Sequence, residues 1–260
     1  MVADAPHAGC DAEERLAVAS ESGTPVRPPF GDRLVALAEV VLCSGFPTQL
    51  GLILVMGVVG AVPTDDAGAL SLPYIVILSL LDAAILLLLI WALLRARDER
   101  PGALLVGVRP PGVEAVFGLA LVPVAFLITA VAFTIMLRVA PGLHNVTENP
   151  LEALIRSPVA AIWFAVVAVV AGGLREEVQR AFILHRFEQY LGGAMTGLVI
   201  FSVVFGLGHL IQGRDAAIAT GLLGAFWGIV YLRRRSIVAP VFCHALFNLT
   251  EVVIAYNAAG

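Results

Sequence analysis

Three groups of polar residues stand in apolar surroundings in the second half of this chain. The first is Glu176-Glu177-Val178-Gln179-Arg180, directly after an apolar run from Ala160 to Ala171. A charge in hydrocarbon costs roughly 2.5 kcal/mol or more, so residues placed there have a function and a partner nearby. Two adjacent carboxylates in a low-dielectric site split their proton affinities, because both charges together are unfavourable. The pair therefore offers a general base and a charge-balancing acid. Glu176 and Arg180 are i and i+4 and share one face of a helix. The competing reading is an interfacial helix end with solvated salt bridges, and this segment alone leaves both open.

The second group is Phe205-Gly206-Leu207-Gly208-His209 and the third is His244-Ala245-Leu246-Phe247-Asn248. A single His in an apolar helix is usually a packed, hydrogen-bonded core residue. His244 and Asn248, at i and i+4, project an imidazole and an amide together. Such a pair suits an oxyanion clamp or the edge of a metal site. The bland alternative is hydrogen bonding between membrane helices. The combination decides: of five histidines, His7 lies in a tail, His144 in a loop and His185 on a polar helix segment. The other two sit in apolar runs downstream of the carboxylate pair, and three such intrusions are hard to keep unless they meet in one bundle interior.

Hydrophobic residues make up 59% of the 260 and charged residues 14%, with a mean hydropathy of +0.92. A soluble domain is closer to half apolar and a quarter charged, so the chain reads as an all-α polytopic membrane bundle. No basic cluster suggests nucleic acid; the lipid bilayer is the expected surrounding. All 16 basic residues are Arg, which leaves the N-terminus as the only amine. Cys10, Cys43 and Cys243 are scattered, with no metal or disulfide spacing.

Residues 1–30 lack apolar periodicity and read as a disordered tail; residues 31–260 form the transmembrane bundle. Seven apolar spans follow the tail, at 34–62, 73–94, 113–137, 158–190, 194–211, 216–232 and 237–256. Gly45-Phe46-Pro47 should kink the first. The fifth and sixth are marginal against the 20 or so residues of a spanning helix. Arg-rich loops alternate with Arg-poor ones, as seven crossings with a cytoplasmic N-terminus require. Glu39 and Asp82, inside spans one and two, are expected to pair with an Arg, with each other or with backbone. Gly221, Gly224 and Gly228 have the spacing of close helix approach.

Glu176-Glu177 with Arg180, Phe205-x-x-x-His209 and His244-x-x-x-Asn248 together resemble the three-motif signature of the CPBP intramembrane proteases. These include CAAX prenyl endopeptidases and bacterial Abi or bacteriocin-processing relatives. The resemblance covers residues of about 157–256. It departs at Arg180, which follows Glu177 after two residues where the family has three. The resemblance implies peptide hydrolysis, with Glu176 as general base, His209 orienting the water, His244 and Asn248 holding the oxyanion, and Glu177, Arg180 and Phe205 in support. It leaves the cofactor as none or zinc, with Glu176, His209 and His244 the candidate ligands and metal-free water activation the preferred expectation. The implied partner is a membrane peptide or protein, prenylated in the eukaryotic members and expected unprenylated here, in a bacterial cytoplasmic membrane. A non-catalytic scaffold or immunity protein on the same fold, and a proton-coupled transporter, are the alternatives. The reading carries a geometric demand. His209, near the end of an outward-running span, can meet Glu176 only if the motif helix is sunk deeper or span five is displaced inward.

Overall fold

The computed structural model describes residues 28–64, 68–147 and 149–258. The tail expected at 1–30 lies outside them except for its last three residues. Among the described residues the regular elements are helices, with one isolated bridge between Thr64 and Leu70. They are α1 (Phe30–Leu42), α2 (Phe46–Val58), α3 (Leu72–Ala96), a short α4 (Pro101–Leu105), α5 (Pro111–Val139), α6 (Pro158–Tyr190), α7 (Ala194–Leu207), α8 (Arg214–Arg234) and α9 (Val238–Ala258).

The helix ends follow local chemistry. Ser71 and Ser157 cap α3 and α6 by accepting from the amides of Tyr74 and Ala160, with a proline in the first turn of each helix. That is where a missing N–H is harmless and the fixed φ helps. Gly45, at φ 88°, breaks the first span into α1 and α2, bent by 47°. α4, in the Arg-rich connection, was not expected from the sequence. Its Leu105 carbonyl accepts from the amide of Ile237.

Five helices (α3, α5, α6, α8, α9) are long and apolar enough to cross a membrane, six if the bent α1–α2 pair counts as one span. The chain is thus an integral membrane protein. α7, in the fifth apolar span, has 14 helical residues and spans about 21 Å at 1.5 Å per residue, short of a roughly 30 Å core. α7 lies against α8 through glycine: a Cβ on Gly224 would come within 2.8 Å of the Phe205 ring and one on Gly206 within 2.6 Å of the Ala217 carbonyl.

Buried ion pairs fasten the bundle. Asp82 of α3 accepts from Arg175 of α6 at 2.5 Å and from Thr48 of α2 at 2.5 Å. Glu39 of α1 pairs with Arg97 at 2.7 Å and with Arg186 of α6. Glu114, fully buried at the start of α5, holds Arg234 at the end of α8 through two bonds, of 2.5 and 3.0 Å. These pairings also sort the loops. His185 and Arg186 meet Glu99, and Arg235 meets Glu188, which gathers the Arg-rich connections at one end. His144 pairs with Asp215 at 2.7 Å, and the Arg214 amide donates to Asn145, which gathers the 140–157 and 208–213 connections at the other.

Breaking such a pair one-sidedly strands a charge. Asp82→Ala leaves the Arg175 guanidinium buried without a carboxylate and is expected to cost about 3–5 kcal/mol, whereas Asp82→Leu combined with Arg175→Leu should recover most of that loss. Thermal unfolding of the detergent-solubilised variants measures the difference.

Candidate active site

The two carboxylates of the motif emerge where α6 changes its winding. Residues Ala168–Arg175 form a π-helical segment between two α-helical stretches, Pro158–Val167 and Glu176–Tyr190. A π turn bonds i to i+5 and accommodates an extra residue, so it rotates everything downstream relative to a straight helix. The segment is shaped by α9. Asn248 donates from Nδ2 to the Ala168 carbonyl at 3.3 Å, and Gly172 and Gly173 leave room for that helix. A Cβ on Gly172 would sit 2.5 Å from Asn248 Nδ2, and one on Gly173 would sit 2.7 Å from the Ala245 methyl.

Glu177 and Glu176 then face different surroundings. Glu177 is buried against an ion pair with Arg180 and accepts a hydrogen bond from His244 Nδ1 at 2.8 Å. The Glu176 side chain keeps 16% of its exposure, with Oε2 3.8 Å from His244 Nε2. The expected pairing of Arg180 with Glu176 is corrected: its ion-pair partner is Glu177, at i and i+3. The guanidinium lies among three aromatic faces, 5.0 Å from the ring centre of Phe205, 5.3 Å from Phe201 and 5.7 Å from Trp227. Glu177 is the carboxylate on that inner side. Cation–π attraction strengthens where water is excluded, and Arg180 is fully buried, so this is no solvated helix end.

His244 is held from two sides. Its ring stacks on Trp227 at 3.7 Å between centres and 15° between planes, while Glu177 engages Nδ1. The Trp227 indole in turn donates to Cys243 Sγ at 3.4 Å. His209 follows the end of α7 and precedes a 3₁₀ turn, Leu210–Gln212. Its Nδ1 bonds the Phe205 carbonyl at 2.8 Å. A carbonyl only accepts, so Nδ1 carries the proton and Nε2 of the neutral ring keeps its lone pair.

Glu176, His209, His244, Asn248 and Phe205 all line one cavity of about 560 Å³. Glu177 and Arg180 stand behind its wall. Glu176 and His209 line the same cavity, Glu176 from well inside the continuous Pro158–Tyr190 helix and His209 from just past the end of α7 at Leu207. The same cavity is lined by Gln49, Asp82 and Arg175 on one wall and by His144, Asp215 and Glu251 on another. Sequence reasoning left these out because their partners are remote in the chain. Only the cost of burying Asp82 hinted at a role.

Zinc would need Glu176, His209 and His244 to converge. Among the described residues no three His, Cys, Asp or Glu side chains group closely enough to hold a metal ion. Nδ1 of each histidine is engaged by protein groups.

The glycine contact is testable by a double substitution. Gly173→Ala pushes α9 off the π segment and should destabilise the protein by about 1–3 kcal/mol, while adding Ala245→Gly removes the nearest contact and recovers part of the loss, the Ala245 backbone still lying 3.0 Å from the new Cβ. A double-mutant cycle on thermal unfolding reads the coupling.

Comparison with known families places this geometry. Residues 158–250, from the start of α6 into α9, match the family model described as "Rce1-like: Type II CAAX prenyl endopeptidase Rce1-like". No curated protein and no solved structure matches the chain. The matched segment holds both carboxylates, both cavity histidines and Asn248, and over these residues the chain is similar to the type II CAAX prenyl endopeptidases.

Proposed function

We propose that this protein is an intramembrane endopeptidase that hydrolyses a peptide bond of a membrane-associated peptide or protein with a Glu176-activated water. The observation that carries the reading is the convergence of Glu176, His209, His244 and Asn248 on one cavity. The family match supports the same reaction class.

The chemistry follows from what each group has free. Glu176 faces the cavity, so its carboxylate takes a proton from a water whose other hydrogen points to the lone pair on His209 Nε2. The oxygen forms a bond to the carbonyl carbon, and negative charge moves onto the carbonyl oxygen. Asn248 Nδ2 and His244 Nε2 are the donors for that oxyanion. His244 donates from Nε2 only as the imidazolium, since Nδ1 already gives its proton to Glu177. Glu177 is the carboxylate that balances this charge, and Arg180 holds Glu177 in place. The intermediate collapses as the C–N bond breaks, and the proton on Glu176 passes to the leaving nitrogen. The products are a carboxylic acid and an amine.

Glu176→Gln and His209→Ala are expected to abolish cleavage while leaving the folded protein intact in detergent. Glu177→Gln keeps the hydrogen bond to His244 but removes its counter-charge. It should lower kcat by about 10–100-fold, the usual effect of an outer partner on a working imidazole. The substrate comes from trapping: membranes containing the Glu176→Gln variant are solubilised, and co-purifying peptides are identified by mass spectrometry and offered to the wild-type protein. Full cleavage of such peptides by Glu176→Gln or His209→Ala would remove the mechanism.

A further inference from the structure

We propose that Arg175, with Gln49 beside it, is a peptide-binding subsite of the cavity, donating a hydrogen bond to a backbone carbonyl of an extended peptide next to the bond that Glu176 addresses. The binding stands on Arg175, Asp82 and Gln49; the bond to be cut rests on the protease reading above.

Arg175 holds donors without acceptors in a place where water is scarce. Its side chain keeps 8% of its exposure and lines the cavity. A guanidinium carries five N–H groups in a planar fork and accepts nothing. Nη2 donates to Asp82 at 2.5 Å, Nε is buried without a partner, and Nη1 has no acceptor among the described residues. Two of the three nitrogens thus lack an acceptor. A buried donor left unmatched destabilises the fold, and more so when it is charged. An oxygen brought into the cavity by a ligand supplies the acceptor, and Nη1 is the donor left to meet it.

The charge around Arg175 selects the kind of oxygen. Asp82 already balances the guanidinium. The residues lining the cavity include five carboxylates, Asp82, Glu152, Glu176, Asp215 and Glu251, against the one guanidinium of Arg175. A further anion would enter against that excess, since like charges brought together are unfavourable. A neutral acceptor meets no such cost, and the amide carbonyl is the one every peptide carries.

Gln49 supplies the matching half. It lines the same wall, and its Nε2 reaches Asp82 Oδ2 at 3.5 Å. Its Oε1 has no donor among the described residues. In an extended strand the N–H and C=O of one residue can be exchanged with one neighbour. Arg175 offers the donor for that carbonyl and Gln49 the acceptor for that N–H.

The subsite adjoins the reacting groups. Arg175 and Glu176 are consecutive, with Cα atoms about 3.8 Å apart. Asn248 stands over Gly172, one turn before Arg175, where a Cβ would lie 2.5 Å from its Nδ2. A peptide anchored on Arg175 is therefore held across Glu176.

Binding is read without catalysis, in detergent, on the full chain carrying Glu176→Gln. The probe is a randomised pool of N-acetylated decapeptides, half ending in an amide and half in a free acid, with retained peptides identified by mass spectrometry. Adding Asp82→Leu with Arg175→Leu removes the subsite without stranding a charge. The Glu176→Gln protein is expected to retain peptides of both kinds, and the leucine pair to lower retention by about tenfold or more, the effect of one hydrogen bond to a charged group. Undiminished retention by the leucine pair overturns the proposal. Retention confined to free-acid peptides also overturns it, because the ligand is then a terminal carboxylate, and so does retention of nothing by the Glu176→Gln protein. Should the leucine pair fail to fold, Gln49→Leu decides in its place, with unchanged retention counting against the subsite. Retained peptides are then offered to protein with Glu176 intact, where the leucine pair should raise KM by about tenfold and move kcat much less. If peptides are retained as expected and none is cut, the subsite stands and the protease reading falls. If they are cut with KM unmoved by the leucine pair, the subsite falls and the protease reading stands.

Discussion

A charge held at membrane depth must have its partner within hydrogen-bonding reach, because the surrounding hydrocarbon offers none. In this chain one helix meets most of that demand. α6 carries Arg175 to Asp82, Glu177 to Arg180 and His244, and Arg186 to Glu39 and Glu99. Each pairing ties α6 to a different neighbour or to itself. The positions of α1, α3 and α9 around it are therefore set by electrostatics as much as by apolar packing. The groups at the candidate site are part of the same network, and Glu177 is the counter-ion of Arg180 as well as the hydrogen-bond partner of His244.

The π segment explains how two neighbouring glutamates acquire unlike surroundings. Successive residues on any helix point about 100° apart, so one of a pair faces inward and the other does not. Which one is settled by the winding upstream. The segment Ala168–Arg175, seated on Asn248 and Ala245 of α9, turns Glu177 to the aromatic box around Arg180 and leaves Glu176 at the cavity. The family spacing between the second Glu and Arg is one residue longer than here. The shorter spacing still closes an ion pair, at i and i+3.

Much of this was legible in the sequence. The apolar spans predicted the helices because in lipid the backbone satisfies its own hydrogen bonds inside a helix. Gly45 marked a break that its positive φ bears out. The residues of the three motifs were legible by type, since polar groups in apolar runs are conspicuous. What was hidden depends on winding and on distance. A π turn leaves no compositional mark beyond Gly172-Gly173, so the sequence favoured Glu176 as the partner of Arg180. Ion pairs between residues 93 and 147 positions apart cannot be read from spacing. Nothing local to Trp227 in the sequence tells that its face is covered by the His244 imidazole.

Those long separations have a meaning during synthesis. Asp82 and Glu39 leave the ribosome far ahead of Arg175 and Arg186, by 93 and 147 residues. At about 5–20 residues per second, that is a delay of roughly 5 to 30 s. Glu39 meets Arg97 first, 58 residues later. Asp82 has Thr48 and Gln49 already made ahead of it, but no cation until α6 arrives. The early helices therefore enter the bilayer as an unfinished acid-bearing half, which the motif helix neutralises before α7, α8 and α9 arrive to complete the cavity.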